Sequence, residues 1–358
     1  MKFSPLTPTR ETLVLFGRAV AVGLVGGVLA NLIGLPLPWM LGPLLVGAVV
    51  SMAGMKYRIP NPLKVGARGV IGVLLGAAIT PEVFARVGQW PLSLTILIVG
   101  MIGIVVLVAL YYRLVARFDP VTAVASALPG GLSNVTVIAL QLGAEPRQVV
   151  IAQLLRISLV VILVPPLYMV WQGAGMDGGW SGPQTSWLGD GIWVLLLAPP
   201  AWYLGRAIRL PMPELLAPMC VTAALSLSAV QITLPPWLFA CTFLVLGTAI
   251  GGRFHGIGSP RELLAPGGHA VVATALILGL ATGLALIIHW ATGVPFYVAL
   301  LAVTPGGIAE MAILAAALGV DPLFVIFHQT VRSVLLNSLS PIILHHIGKR
   351  TGIRSPEE

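Results

Sequence analysis

Residues Pro129–Arg156 read PGGLSNVTVIALQLGAEPRQVVIAQLLR, and residues Pro305–Arg332 read PGGIAEMAILAAALGVDPLFVIFHQTVR. The two stretches align without gaps at a constant offset of 176, with ten of 28 positions identical. The identities include Pro129, Gly130, Gly131, Gly143, Pro146, Gln153 and Arg156, residue types that shared apolar composition would not favour. Pro36-Leu37-Pro38 through Pro43 likewise aligns with Pro211-Met212-Pro213 through Pro218, at offset 175. A looser match relates Gly76-Ala77-Ala78-Ile79 to Gly247-Thr248-Ala249-Ile250. The chain reads as a duplication, with one membrane repeat over 10–171, a linker over 172–189, a second repeat over 190–346 and a tail over 347–358. Duplicated halves whose apolar segments are interrupted at matching places point to a transporter-like architecture.

Composition names the solvent. Of 358 residues, 57% are hydrophobic and 9% charged, against about 25% charged in soluble domains. Most of the surface is therefore expected to face lipid. The net charge of +8 does not indicate a nucleic-acid binder, because the basic residues form no dense patch. Cys220 and Cys241 lie inside apolar segments with no CxxC spacing, and are expected to be buried small hydrophobes. Glu11 precedes the first apolar run and no clean small-x-small site follows, so no cleavable signal is expected.

Charge placement argues for topology. Apolar runs occupy 12–33, 37–54, 65–80, 91–112, 121–143 and 148–171, then 190–207, 213–230, 236–251, 268–290, 295–319 and 322–345. If each Pro-Gly-Gly run enters and leaves on one side, each half crosses five times and the halves are inverted. Lys56, Arg58, Lys64, Arg68, Arg113, Arg117, Arg206, Arg209, Arg253 and the basic C-terminal tail then share the inner side, with Arg86 outside. Six crossings per half would split that set, against the positive-inside rule. Trp39, Trp90, Trp171, Trp180, Trp187, Trp237 and Trp290 then fall near outer segment ends, as an aromatic belt would.

The fold class expected is an all-α polytopic membrane protein of two inverted-topology repeats. Each has about five crossing helices plus one Pro-Gly-Gly element. Proline lacks the helical N–H donor and glycine tolerates unusual backbone angles. Thus 121–128 and 132–143 read as arms meeting at Pro129-Gly130-Gly131. Arms this short suit a re-entrant hairpin, and a broken crossing helix is the rival geometry. In both cases the tip needs protein or a polar cavity around it, and inverted halves bring two tips together near the midplane.

The candidate site follows from the repeat. Arg156 and Arg332 occupy matching places in the last helix of each half, where a guanidinium costs about 2.5–3.5 kcal/mol to insert. Anion binding through a planar donor fork is the functional reading; a structural ion pair or snorkelling is the alternative. Gln153 and Gln329 share a helical face with these arginines and either bind solute or hold the hairpin backbone. Gly130, Gly131, Ser133 and Asn134 in the first half, and Gly306, Gly307 and Glu310 in the second, surround the tips. The free N–H groups there favour an anion. Glu310 reads either as a coupling carboxylate or as a helix-start charge. Glu145-Pro146 and Asp321-Pro322 read as helix starts. His328, Asn337, Ser158 and Ser333 are further candidates for the cavity wall, though a lone histidine is more often a satisfied core residue. No HExxH-like spacing and no P-loop occur, so no metal, nucleotide or other cofactor is expected.

LPWMLGPLLVGAVVS at 37–51, the twin Pro-Gly-Gly segments and the duplicated organisation resemble the AbrB-type membrane proteins of bacteria over nearly the whole chain. This family is distinct from the small soluble DNA-binding protein of the same name. The resemblance implies a bacterial inner-membrane protein, here with both termini cytoplasmic, and carries labels such as ammonia monooxygenase and regulator of gene expression. A copper monooxygenase would need clustered histidines, so an enzyme is not expected. In the second half Glu214 stands for Trp39 and Ala217 for Gly42, so that copy of the motif is expected to be weaker. The function expected is secondary transport or export of a small anionic solute. The alternative is a membrane-embedded regulator or sensor acting on gene expression indirectly. The expected partners are a solute and the bilayer, without nucleic acid; homo-oligomerisation stays open.

Overall fold

The computed structural model describes 10–79, 81, 86–129, 138–172, 191–228, 232–256, 260–317 and 321–350. Gly130, Gly131, Ser133 and Asn134 lie outside the described residues, as do Trp180, Trp187, nearly all of the 172–189 linker and the tail beyond Arg350.

Among the described residues the regular structure is helical, and proline punctuates it. Six helices lead up to the linker: α1 (Arg10–Leu32), α2 (Pro38–Met52), α3 (Asn61–Ala77), α4 (Pro91–Leu114), α5 (Pro120–Ala127) and α6 (Pro146–Gln172). Beyond it come α7 (Ala198–Ala207), α8 (Pro213–Leu227), α9 (Pro236–Gly251), α10 (Pro260–Thr292), α11 (Phe296–Val303), α12 (Ile308–Ala317) and α13 (Pro322–Arg350). Eight of these begin on proline, whose missing N–H is no loss in a first turn. Asp321 caps α13 by accepting from the Leu323 and Phe324 amides at 3.0 and 3.1 Å. Among the described residues five helices are long and apolar enough to cross a membrane, and α2 and α8 are shorter apolar helices.

Local geometry recurs at matching positions. Leu37 and Met212, each just before the proline that opens α2 or α8, both adopt the left-handed conformation, at φ 48° and 46°. That region costs a side-chain-bearing residue about 1–2 kcal/mol, so a packed neighbourhood must hold it. Internal prolines also recur, Pro43 with Pro218 and Pro165 with Pro341.

The helices gather into two bundles, α1–α3 with α7–α9 and α4–α6 with α10–α13. The halves interlock inside the first, where α3 packs on α8 and α2 packs on α9. Both crossings depend on glycines that touch backbone. A Cβ on Gly72 would come within 2.3 Å of the Leu215 carbonyl oxygen, and one on Gly76 within 2.4 Å of that of Met219. Reciprocally, Gly247 faces the carbonyl of Met40 at 2.3 Å and Gly251 that of Leu44 at 2.8 Å. These contacts match Gly72 with Gly247 and Gly76 with Gly251 at offset 175, correcting the looser Gly76-to-Gly247 relation.

At the second copy of the Pro-x-Pro motif a close helix approach is kept, Ala217 against Gly205 on α7, where Gly42 meets the Gly26 backbone and Ala30 on α1. Two further expectations are corrected. Trp90 is 4% exposed and packs edge-on against Phe324, so it belongs to the core rather than to an outer belt; Trp237 and Trp290 are exposed. Cys220 and Cys241 are exposed as well, on the outer faces of α8 and α9. A helix that is apolar all round carries no amphipathic signal to say which face turns inward.

Candidate functional site

A cavity of about 800 Å³ opens between the two bundles. The second bundle contributes Arg156, Arg332, Glu310, Ser333, Asn337 and the turn residues Pro129 and Pro305-Gly306-Gly307. The first contributes Arg68, Arg253, Pro211 and Met212.

The helix ends that lead into Pro129 and Pro305 are built alike. Helices α5 and α11 end at Leu128 and Thr304, both extended, at ψ 120° and 127°. Each precedes a proline, which disfavours helical geometry in the residue before it. Matched side chains on α6 and α13 hold these ends. Gln153 donates to the Ala125 carbonyl at 3.2 Å, and Gln329 to that of Leu301 at 2.7 Å. Arg156 reaches the Ala127 carbonyl and Arg332 that of Val303, both through Nη1 at 3.4 Å. Each pair of acceptors is separated by the repeat offset of 176. The second half adds Gln329 and Arg332 Nη1 on the Thr304 carbonyl, at 2.9 and 2.8 Å, and Arg332 Nη2 on Gly306 at 3.0 Å. Gln153 and Gln329 thus hold backbone. Arg332 bridges the peptide units on either side of Pro305.

Both guanidiniums are buried, Arg156 at 3% and Arg332 at 2% exposure. Arginine offers five donors, and the Nε–H of each is buried without an acceptor among the described residues. No carboxylate there forms a salt bridge with either. Arg68, by contrast, is paired with Glu214 in the first turn of α8. Glu310 sits in the first turn of α12 and folds back on Gly307, where a Cβ would strike its Oε2 at 1.8 Å. Glycine at 307 is what gives that carboxylate room.

The remaining candidates divide. Ser333 and Asn337 line the cavity. His328 is fully buried elsewhere, between Ser93 Oγ at 2.8 Å and the Phe324 carbonyl at 2.8 Å, and stacks on Phe324 at 3.8 Å. It is a satisfied core residue. Replacing Ser93 with alanine strands one ring nitrogen and is expected to cost about 1–3 kcal/mol, read as a lower unfolding midpoint. Ser158 is buried, with no partner for its hydroxyl among the described residues. Sequence reasoning missed Arg68 and Arg253, which it reads as inner-side charges, and Met212, which it reads only as part of the repeated Pro-x-Pro match. The Glu214 carboxylate was the one available signal, an acid at the head of a helix needing a cation across from it.

The fold and cavity define a class, that of all-helical membrane proteins with paired buried arginines between two helix bundles. The chain belongs to the AbrB family, whose model, described as "Transition state regulatory protein AbrB", matches residues 39–348. It is 26% identical over 339 residues to the Escherichia coli K12 protein named "Putative regulator AbrB", covering 90% of this chain and 93% of that one. It is 25% identical over 359 residues to the Bacillus subtilis strain 168 protein YhjN, covering 92% of each.

Proposed function

We propose that this protein is a secondary transporter or exporter of a small anionic solute, bound between the two bundles. One observation carries the reading: two repeat-matched guanidiniums line a single cavity, buried and without carboxylate partners among the described residues. A buried cation without a counter-charge is costly, and an anion entering the cavity offsets that cost. In this reading the halves are inverted repeats of five crossings plus one Pro-Gly-Gly element, in the bacterial inner membrane with both termini cytoplasmic. The reciprocal α3–α8 and α2–α9 crossings support a twofold relation between the halves. No enzymatic step is assigned. The regulator named in the family description fits as an indirect effect, through a solute whose cytoplasmic level a transporter changes.

Purified protein in proteoliposomes tests the reading by counterflow of labelled acetate, succinate, phosphate and sulfate, with ammonium as the cationic control. Uptake of at least one anion above protein-free vesicles is expected. Uptake of ammonium alone, or of none of the five, removes the reading.

A further inference from the structure

We infer that the cavity selects dianions, taking one negative charge at Arg156 and one at Arg332. The inference rests on the anion reading above and adds the valence of the ligand. Each guanidinium reaches the carbonyl at the matching backbone position, Ala127 for Arg156 and Val303 for Arg332, so the site presents a guanidinium twice; two further carbonyls hold Arg332. Both guanidiniums line the same cavity. Each keeps a buried Nε–H that no described residue accepts.

Charge accounting gives the valence. Arg68 is already compensated by Glu214. Of the other lining charges, Arg253 is exposed and Glu310 is half-buried; the two cancel in the sum of lining charges without forming an ion pair among the described residues. The deep pair of guanidiniums remains uncompensated. A monoanion would neutralise one and leave the other buried, and an unpaired buried charge is the expensive case. A ligand with two negative charges satisfies both, either as a dicarboxylate with one end at each arginine or as a compact dianion shared between them. Charge-assisted bonds from a guanidinium fork suit both.

The test is a thermal-shift titration of the full-length protein in detergent at fixed ionic strength and pH. The probes are succinate, glutarate and adipate, the monocarboxylates acetate and butyrate, and the compact dianions sulfate and hydrogen phosphate. A dianion is expected to raise the midpoint at about one-tenth or less of the concentration a monocarboxylate needs. An optimum chain length supports the two-ended mode, and a preference for sulfate or phosphate supports the shared mode. Arg156→Lys and Arg156→Gln are each expected to shrink the dianion advantage while monocarboxylate binding changes less. The lysine variant keeps the charge should the glutamine variant fail to fold. Equal binding of monocarboxylates and dianions overturns the valence and leaves the anion reading intact. No shift with any anion overturns both.

Discussion

Arg332→Leu is expected to abolish anion-induced stabilisation, weakening apparent anion affinity by about 100-fold, while leaving the ligand-free protein no less stable. The affinity loss follows from the two donors Arg332 has left for an anion, at about 1.5–3 kcal/mol for each charge-assisted bond. The stability half of the expectation is the sharper one. Arg332 returns three bonds to the Val303, Thr304 and Gly306 carbonyls, yet it is 2% exposed with no carboxylate bonded to it among the described residues. Removing an unpaired buried charge removes a desolvation penalty of several kcal/mol, which offsets the bonds lost to the three carbonyls. Residues kept for function rather than for folding show this trade. Unfolding midpoints and anion titrations on one preparation decide it. A midpoint that drops by many degrees with affinity intact would make Arg332 a structural latch for the Pro305 turn and nothing more.

Gly72→Ala is expected to be among the most damaging small substitutions at the described residues, costing about 3 kcal/mol. The added methyl meets the Leu215 carbonyl oxygen at 2.3 Å, with the Met219 amide at 3.3 Å. Both belong to the backbone of α8 and cannot rotate away, so the crossing itself must open, and overpacking of this kind costs about 1–3 kcal/mol or more. Gly66 is the control, since it lies on the same helix with nothing within 4 Å of its Cβ position. There alanine is expected to be neutral or favourable by up to about 1 kcal/mol. Unfolding in graded denaturing detergent separates the two variants. Equal midpoints would mean that α3 and α8 are not in close contact.

The sequence made the helices legible because proline marks their starts, and it made the turn sites legible because Pro, Gly, Gln and Arg recur together. Four features were hidden, each for a physical reason. The interlocking of the halves depends on glycines that admit any backbone surface, so Gly72 and Gly247 announce a close approach without naming the partner. The inward faces of α4 and α9 could not be told from their outward ones, which is why Trp90 and Cys241 were misplaced. The role of Gln153 and Gln329 was open because a buried amide satisfies backbone and ligand with the same donors. The structure gives those donors to the carbonyls of Ala125, Leu301 and Thr304. Arg68 and Arg253 joined the site only through tertiary placement, since basic residues near helix ends obey the positive-inside rule whether or not a ligand is present.

The reciprocal crossings also bear on how the chain is made. Synthesis runs from the N-terminus, so α2 and α3 leave the ribosome well before α8 and α9, their partners, exist. Until then the glycine faces of Gly72 and Gly76 are without the α8 backbone they pack on. The first bundle cannot close during translation of the first half; it must wait for the chain to extend past Gly251. The insertion machinery, or lipid itself, has to shelter an unfinished interface for that interval, and a ribosome stalled between the halves would leave it open.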